Sequence, residues 1–372
     1  MQRQQDTARD VVLIGGGHSH ALVMLALLDL PLPDVSVTVI NPQPTAPYSG
    51  MLPGVIAGHY PRAALEIDLA DLAARAGIRF VQGYVQHLDR SARLITGAGF
   101  DPFHYDLASL DVGITSDLPS LPGFGAHAVP AKPLAAYATR WEDWLARLEQ
   151  GQVSPDIAVL GAGVAGAELA MAMAFRLYGR PARISLIDQG PALPNIGRFA
   201  RRRLRAHLAR LGICLIEQAQ PVAVGPDHVA LADGRKIAAT LVVGAGGTRP
   251  HAWLAETGLK LREGFVSVDA HLRSVNDSAV FAVGDCAHMT HAPRPKAGVY
   301  AVRQAPFLLA NLRAALGMGA FQAYQPQRDY LKLVSLGDRV ALADKWGLPL
   351  EGRWLWRLKD RIDARFMAQF LG

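Results

Sequence analysis

The chain has 372 residues, 50% of them hydrophobic, and a formal net charge of +6 at pH 7. That length suits two domains with a full core in each. The mild, diffuse positive charge favours phosphates or acidic lipid headgroups and excludes a nucleic-acid footprint. The only two cysteines, Cys214 and Cys286, are far apart, so neither a disulfide framework nor a zinc site is expected, no metal is implied, and a reducing cytoplasm fits. The first ten residues are polar and mixed in charge, unlike the start of a signal peptide. The apolar run of residues 11–30 is broken by Gly15, Gly16, Gly17, His18 and His20 before it reaches membrane-spanning length.

In chain order, Val11, Val12, Leu13 and Ile14 predict a buried strand, the three glycines a turn, and residues 21–28 a helix. A strand–turn–helix of this kind seats a dinucleotide pyrophosphate on a helix N-terminus. Gly15 permits the tight turn, and Gly17 lets the backbone approach the phosphates where a Cβ would collide. His20 stands where the third glycine of the pattern is usual. Residues 35–40 read as the second strand, closed by Asn41 at the position where an acidic residue commonly holds the adenosine ribose. Asn41 is either a ribose partner or a turn residue ahead of Pro42.

Residues 46–58 are rich in glycine and proline yet apolar, so they form a loop that covers something. Residues 65–76 read as a helix stopped by Gly77, 78–88 as a strand, and 105–113 as a return to the sheet. Residues 119–123 mark a domain boundary, and Lys132 and Pro133 lead into a helix over 134–148. The second glycine loop is complete: strand 157–160, then Gly161, Gly163 and Gly166, then a helix over 167–177 and a strand over 183–187 ending at Asp188. A carboxylate about 20 residues past the last glycine bonds the ribose 2′-OH and repels a 2′-phosphate, which points to NADH over NADPH. Arginines at 198, 201, 202, 203, 205 and 210 lie at helical spacing, as a solvated face or an anionic contact. Cys214 reads as inert core. Residues 280–287 form a strand that delivers Gly284 and Asp285 to the carboxyl end of a sheet, and 296–316 a long helix. Residues 330–340 and 341–346 read as strands of a small C-terminal region. Residues 353–370 are amphipathic, with Leu355, Leu358, Ile362, Phe366 and Phe370 on one stripe and Arg353, Arg357, Arg361 and Arg365 on another. Such a helix suits a membrane surface on the inner face, with Trp354 and Trp356 as anchors, and equally a homodimer contact or a cap over the site.

The two loops, the Tyr48–Ser49–Gly50–Met51–Leu52–Pro53–Gly54 stretch and the Val283–Gly284–Asp285–Cys286 stretch resemble the flavoproteins with two dinucleotide-binding domains. These include the pyridine nucleotide-disulfide oxidoreductases and type II NADH dehydrogenases, and the closest resemblance is to the branch fused ahead of selenide, water dikinase. The resemblance implies an α/β fold with two Rossmann-like domains of the glutathione-reductase type and a small α+β C-terminal region. The expected divisions are 1–118 and 245–325 for FAD, 119–244 for NAD(P)H, and 326–372 for the C-terminal region. It further implies that Gly15, Gly17, His18, Asn41, Ser49, Gly50, Met51, Pro53, Val85, Gly284, Asp285, Gly298 and Val299 hold FAD. Gly161, Gly163, Gly166, Glu168 and Asp188 would hold NADH. Asp285 is expected on the ribityl chain, and the helix beginning near Gly298 on the flavin ring edge, where its N-terminal half-charge stabilises reduced flavin. Lys296 and Glu168 are candidate catalytic groups beside the flavin and nicotinamide. Glu168 is equally a first-turn acid favoured by its helix dipole, and Lys132 is a helix-start residue or a flavin neighbour. The implied activity is FAD-dependent NAD(P)H oxidation by a quinone-like or other small acceptor, without a cysteine pair. The alternatives are a soluble reductase of selenium or sulfur compounds and a non-catalytic redox sensor.

Overall fold

A computed structural model describes residues 9–115, 118–345 and 347–372, without the Pro119 side chain; the polar start of the chain through residue 8 and the Trp346 end of an expected strand lie outside them. The chain divides into two units. The first comprises the described residues through Ala46, Glu66–Ile114 and Pro250–Gln327. The second comprises Pro47–Leu65, the described residues from Thr115 to Arg249, and Arg328–Gly372. This differs from the expected division. The covering loop after residue 46 belongs to the second unit, and residues 328–372 join that unit rather than forming a region of their own.

The first unit is built on a 5-stranded parallel sheet in the order Val280–Ala282, Leu107–Leu110, Arg9–Ile14, Val35–Asn41, Arg79–Gln82. Val11, Val12, Leu13 and Ile14 are all buried because the strand is central and both faces are covered. Each such side chain contributes about 1.5–3 kcal/mol relative to exposure. The His18–Asp29 and Gly298–Ala315 helices pack against each other in this unit. The second unit repeats the plan in the order Ala128–Pro130, Leu241–Gly244, Asp156–Leu160, Arg183–Ile187, Cys214–Ile216. Its core joins Trp141 and Trp144, stacked at 5.4 Å, to Met51, Leu52 and Ile56 of the covering loop and to Val334 and Leu342. The mixed α/β architecture with two Rossmann-like sheets agrees with the sequence reading.

Local differences have simple causes. Residues 65–76 are not one helix: Glu66–Asp68 is a short strand, and the helix is Leu69–Arg75, started by the Asp68 carboxylate accepting from the Asp71 N–H at 2.9 Å. The strand expected over 78–88 is broken at Gly83 into Arg79–Gln82 and Tyr84–Asp89, which lie in different sheets. The covering loop contains a helix, Leu52–Ile56, with Pro53 in its first turn, where a missing N–H costs nothing. The segment after residue 330 holds the strands Lys332–Ser335 and Ala341–Lys345 and a third, Leu348–Gly352, which the sequence reading missed. Cys214 is exposed rather than core, because its strand is the edge of the second sheet.

Candidate functional site

The first glycine loop leaves the central strand of the first unit at its carboxyl end. Strand order reverses there, between Arg9–Ile14 and Leu107–Leu110, and this is where open α/β sheets bind ligands. Ile14 is in register with Leu110, so Gly15 and Asp111 emerge side by side. Gly15 has φ +90, and a Cβ on it would strike the Asp111 main chain. Gly17 has a reason to be glycine that the sequence did not reveal: a Cβ there would overlap the Asp111 carboxylate. That carboxylate accepts from the Ser19 N–H at 2.9 Å and the His20 N–H at 3.1 Å, and the Gly17 N–H donates to the Asp111 carbonyl at 3.1 Å. Burial pushes the Asp111 carboxyl up to about 7, the two N–H donors pull against it, and Asp285 adds like-charge repulsion.

His20, in place of the third glycine, is fully buried. One ring nitrogen lies 2.7 Å from the Gly15 carbonyl and the other 2.8 Å from Ser109 Oγ. A carbonyl only accepts, so Nδ1 carries the proton and Nε2 accepts from Ser109. Burial lowers the ring to about 4 and keeps it neutral. Asn41 Oδ1 accepts from the Gly16 N–H at 2.8 Å, so this side chain latches the loop. Gly284, at φ +65, faces Asp111 as well: a Cβ on it would meet the Asp111 carboxylate. Its N–H donates to Gln304 Oε1 at 2.7 Å. Asp285 follows, half-buried. Lys296 donates to the Ala287 carbonyl and lies 4.0 Å over the Phe265 ring, and burial lowers its ammonium. Gly298 and Val299 open the Gly298–Ala315 helix, whose N-cap, Ala297, offers no side-chain acceptor. The structure thus brings Gly15, Gly17, Asn41, Gly284 and Asp285 to one end of one sheet. Val85 is set apart, paired with Gly97 in a separate antiparallel sheet. Sequence reasoning missed Asp111. Its only signal is an acid at the end of an apolar strand.

In the second unit, Leu160 is in register with Gly244, which places Gly161 beside Ala245. Gly161 has φ +108, and a Cβ on Gly166 would overlap the Gly161 carbonyl, so close helix–strand packing demands the third glycine here. Gly163, the N-cap of the Val164–Arg176 helix, has open space where a Cβ would sit, with nothing within 4 Å. An uncapped helix start with that room fits a phosphate of a dinucleotide. Asp188 closes its strand. Its carboxylate accepts from the Ala162 N–H at 2.6 Å and the Gly190 N–H at 2.8 Å, the counterpart of the Asn41 latch. Arg183 is engaged with Asp156 at 2.5 and 2.8 Å. Arg201 donates to the carbonyls of Leu193 and Pro194, and Arg205 pairs with Glu217 at 2.6 Å, so both are spent on structure.

The same unit holds a second polar cluster. Lys359 Nζ donates to the Gly50 carbonyl and to Asp363, both at 2.6 Å, and the Tyr48 hydroxyl donates to Asp363 at 2.9 Å. Tyr60 donates to Asp360, and Phe366 stacks on Tyr48 at 4.4 Å. The Arg353–Ala368 helix is therefore seated on the Ser49–Gly50 part of the loop through its polar residues. Its expected apolar stripe is not one face: Leu355 and Phe370 are buried, but Ile362 is 48% exposed. Met51 is buried in the core, and Pro53 in the short helix. Glu168, half-buried on the Val164–Arg176 helix, accepts from the Ser335 N–H at 2.7 Å. Burial pushes it up to about 7, opposed by Lys359. Proton exchange at Glu168 is thereby poised near neutrality.

Three comparisons bear on this arrangement. The family model described as pyridine nucleotide-disulphide oxidoreductase matches residues 9–305. The NADH dehydrogenase-like protein YutJ of Bacillus subtilis is 26% identical over 95% of this chain and 97% of its own length. Among solved structures, NDH2 from Plasmodium falciparum in complex with NADH superimposes with a TM-score of 0.82 at 14% identity, covering 98% of this chain and 97% of the other. The sulfide:quinone oxidoreductase from Aquifex aeolicus does so with a TM-score of 0.78 at 18% identity, covering 98% and 91%. At these identities the structural matches speak for the fold.

Proposed function

From the premise that this chain belongs to the pyridine nucleotide-disulphide oxidoreductase family, and so is an NAD(P)H oxidoreductase, we propose that it holds FAD on the first unit and NADH on the second. It would pass the electrons to a small, quinone-like acceptor without a redox-active cysteine pair. One observation carries this reading: each unit presents a glycine loop at the strand-order reversal of a parallel sheet, latched by a polar residue at the end of the next strand. FAD, when bound, supplies two-electron chemistry that needs positioning more than an acid or a base. Gly284 and Asp285 would hold its ribityl side, and Asp188 the ribose of NADH. Glu168 would hold an exchangeable proton near the Gly50 loop, its carboxyl oriented by the Ser335 N–H.

The cysteines support an acceptor reduced without a thiol relay. Cys286 is buried, with its thiol pushed up to about 12 chiefly by burial, and Cys214 is exposed on an edge strand; both are free. The near full-length similarity to an NADH dehydrogenase-like protein supports NADH as donor. Among the described residues no helix is long and apolar enough to cross a membrane.

The test is anaerobic. Purified protein should carry a flavin spectrum that NADH bleaches faster than NADPH, and Asp188→Ala should narrow that gap. Reoxidation is then followed with a water-soluble quinone, a long-chain quinone, polysulfide and selenite. Fast reoxidation by quinone alone fits the proposal. Fast reoxidation by the sulfur or selenium compounds moves the assignment to that branch. Slow reoxidation by every acceptor makes the protein a sensor.

A further inference from the structure

The Asp111 carboxylate has no role in the reading above, yet both segments proposed to hold FAD close on it. Gly17 and Gly284 each lack a Cβ where that atom would overlap the Asp111 carboxylate. The carboxylate also occupies the N-terminus of the His18–Asp29 helix, taking the Ser19 and His20 N–H groups at 2.9 and 3.1 Å. The equivalent position of the second unit, one residue past the strand paired with the glycine-loop strand, is Ala245. The acid is therefore a property of this loop and not of the fold.

Among the described residues, the groups that shift the Asp111 carboxyl are the Ser19 and His20 N–H donors and Asp285, with no cation in that set. On the facing helix, His20 is held neutral by burial and by its contacts with Gly15 and Ser109. On the Gly284–Cys286 turn, Asp285 is a like charge and the Cys286 thiol stays protonated. Lys296, ahead of the Gly298–Ala315 helix, is engaged with the Ala287 carbonyl and the Phe265 ring. His251 is lowered by burial and bonded to the Val112 carbonyl. A pyrophosphate arriving at this loop adds negative charge beside a carboxylate whose charged neighbour is Asp285 and whose balance comes from two helix N–H groups alone.

Resting on the FAD reading above, we propose that Asp111 is a further FAD-site residue that is protonated in the complex, so that capture of the cofactor takes up one proton. The free carboxyl already sits near neutrality. Below that pH, FAD meets a neutral acid, which keeps the Ser19 and His20 N–H groups satisfied through its oxygens. Above it, each bound FAD costs a proton drawn from solvent. Affinity then falls as pH rises, at a limiting slope of about tenfold per pH unit.

Apoprotein is titrated with FAD, by quenching of flavin fluorescence, from about pH 6 to about pH 9, the window around the free carboxyl. Calorimetry at about pH 8 in buffers of different ionisation enthalpy counts the protons. The expected result is a flat affinity at the acid end, a fall approaching tenfold per unit at the alkaline end, and an uptake close to one proton. Asp111→Asn keeps an acceptor for the two N–H groups and should bind FAD with a flat pH profile and no uptake. Asp285→Asn removes the neighbouring like charge and should move the onset of the slope to lower pH. A flat profile in the unmutated protein, an unchanged slope in Asp111→Asn or an unmoved onset in Asp285→Asn overturns the inference while leaving FAD binding intact. Absence of FAD binding at every pH overturns the functional reading along with it.

Discussion

The two glycine loops share strand order, register and latch, yet differ in what fills them. In the second, the helix start is open at Gly163 and the third glycine packs against the Gly161 carbonyl. In the first, the helix start is occupied by the Asp111 carboxylate, and His20 replaces the third glycine by reaching Ser109 and the Gly15 carbonyl. The same fold element is thus prepared in two ways. One relies on empty space and an unspent helix dipole, the other on a prebuilt polar cluster into which the ligand must fit. The first loop resists change through stability, the second through ligand affinity.

That contrast can be broken at His20. His20→Ala leaves Ser109 without its partner, opens a buried gap beside the central sheet, and should cost about 3 kcal/mol, read as a lower urea midpoint for the first unit. The unmutated ring adds a pH signature. It titrates near 6.5 when unfolded and about 4 when folded, so its contribution is complete above 6.5 and is lost as pH falls toward 4. His20→Gln should flatten that acid arm. The next test pairs two substitutions. Gly17→Ala drives a methyl into the Asp111 carboxylate and should cost about 1–3 kcal/mol of stability as well as flavin. Gly163→Ala, whose methyl meets open space at an ordinary φ of −70, should leave the melting temperature alone and weaken NADH binding roughly tenfold. Equal melting shifts in the two variants would erase the distinction between the loops.

Asp285→Ala loses one hydrogen bond in the proposed flavin site, about 1–3 kcal/mol, and should appear as partial flavin occupancy after gel filtration. Full occupancy with unchanged affinity removes Asp285 from the site. The smallest expected effect comes from converting one loop toward the other. Ala245→Asp places a carboxylate beside Gly161 and should weaken NADH several-fold at alkaline pH and less at acid pH, measured by anaerobic bleaching at limiting NADH.

The sequence made both loops legible because their signals are local: an apolar strand, glycines at fixed spacing and a polar residue closing the next strand. The strand over 183–187 and the helix over 198–210 fall where patterning put them. The rest depended on long-range partners. Asp111 meets Ser19 and His20 only after the sheet brings Leu107–Leu110 beside Arg9–Ile14. Cys214 looks like core by its apolar neighbours, and only its edge position exposes it. The spacing of residues 353–370 revealed amphipathicity but hid the inward-facing polar pair Lys359 and Asp363, because their partners, Gly50 and Tyr48, lie more than three hundred residues earlier.

That last contact has a consequence for synthesis. Domains commonly fold as they leave the ribosome, N-terminal first. Here the first unit needs residues through Gln327, and the second draws on early, middle and late segments. The loop at Gly50 is made early, but its lysine and aspartate anchors follow more than three hundred residues later. Once residues through Gln327 are available the first unit can finish while the Tyr48–Tyr60 loop still lacks its clasp, so the second unit closes after the first.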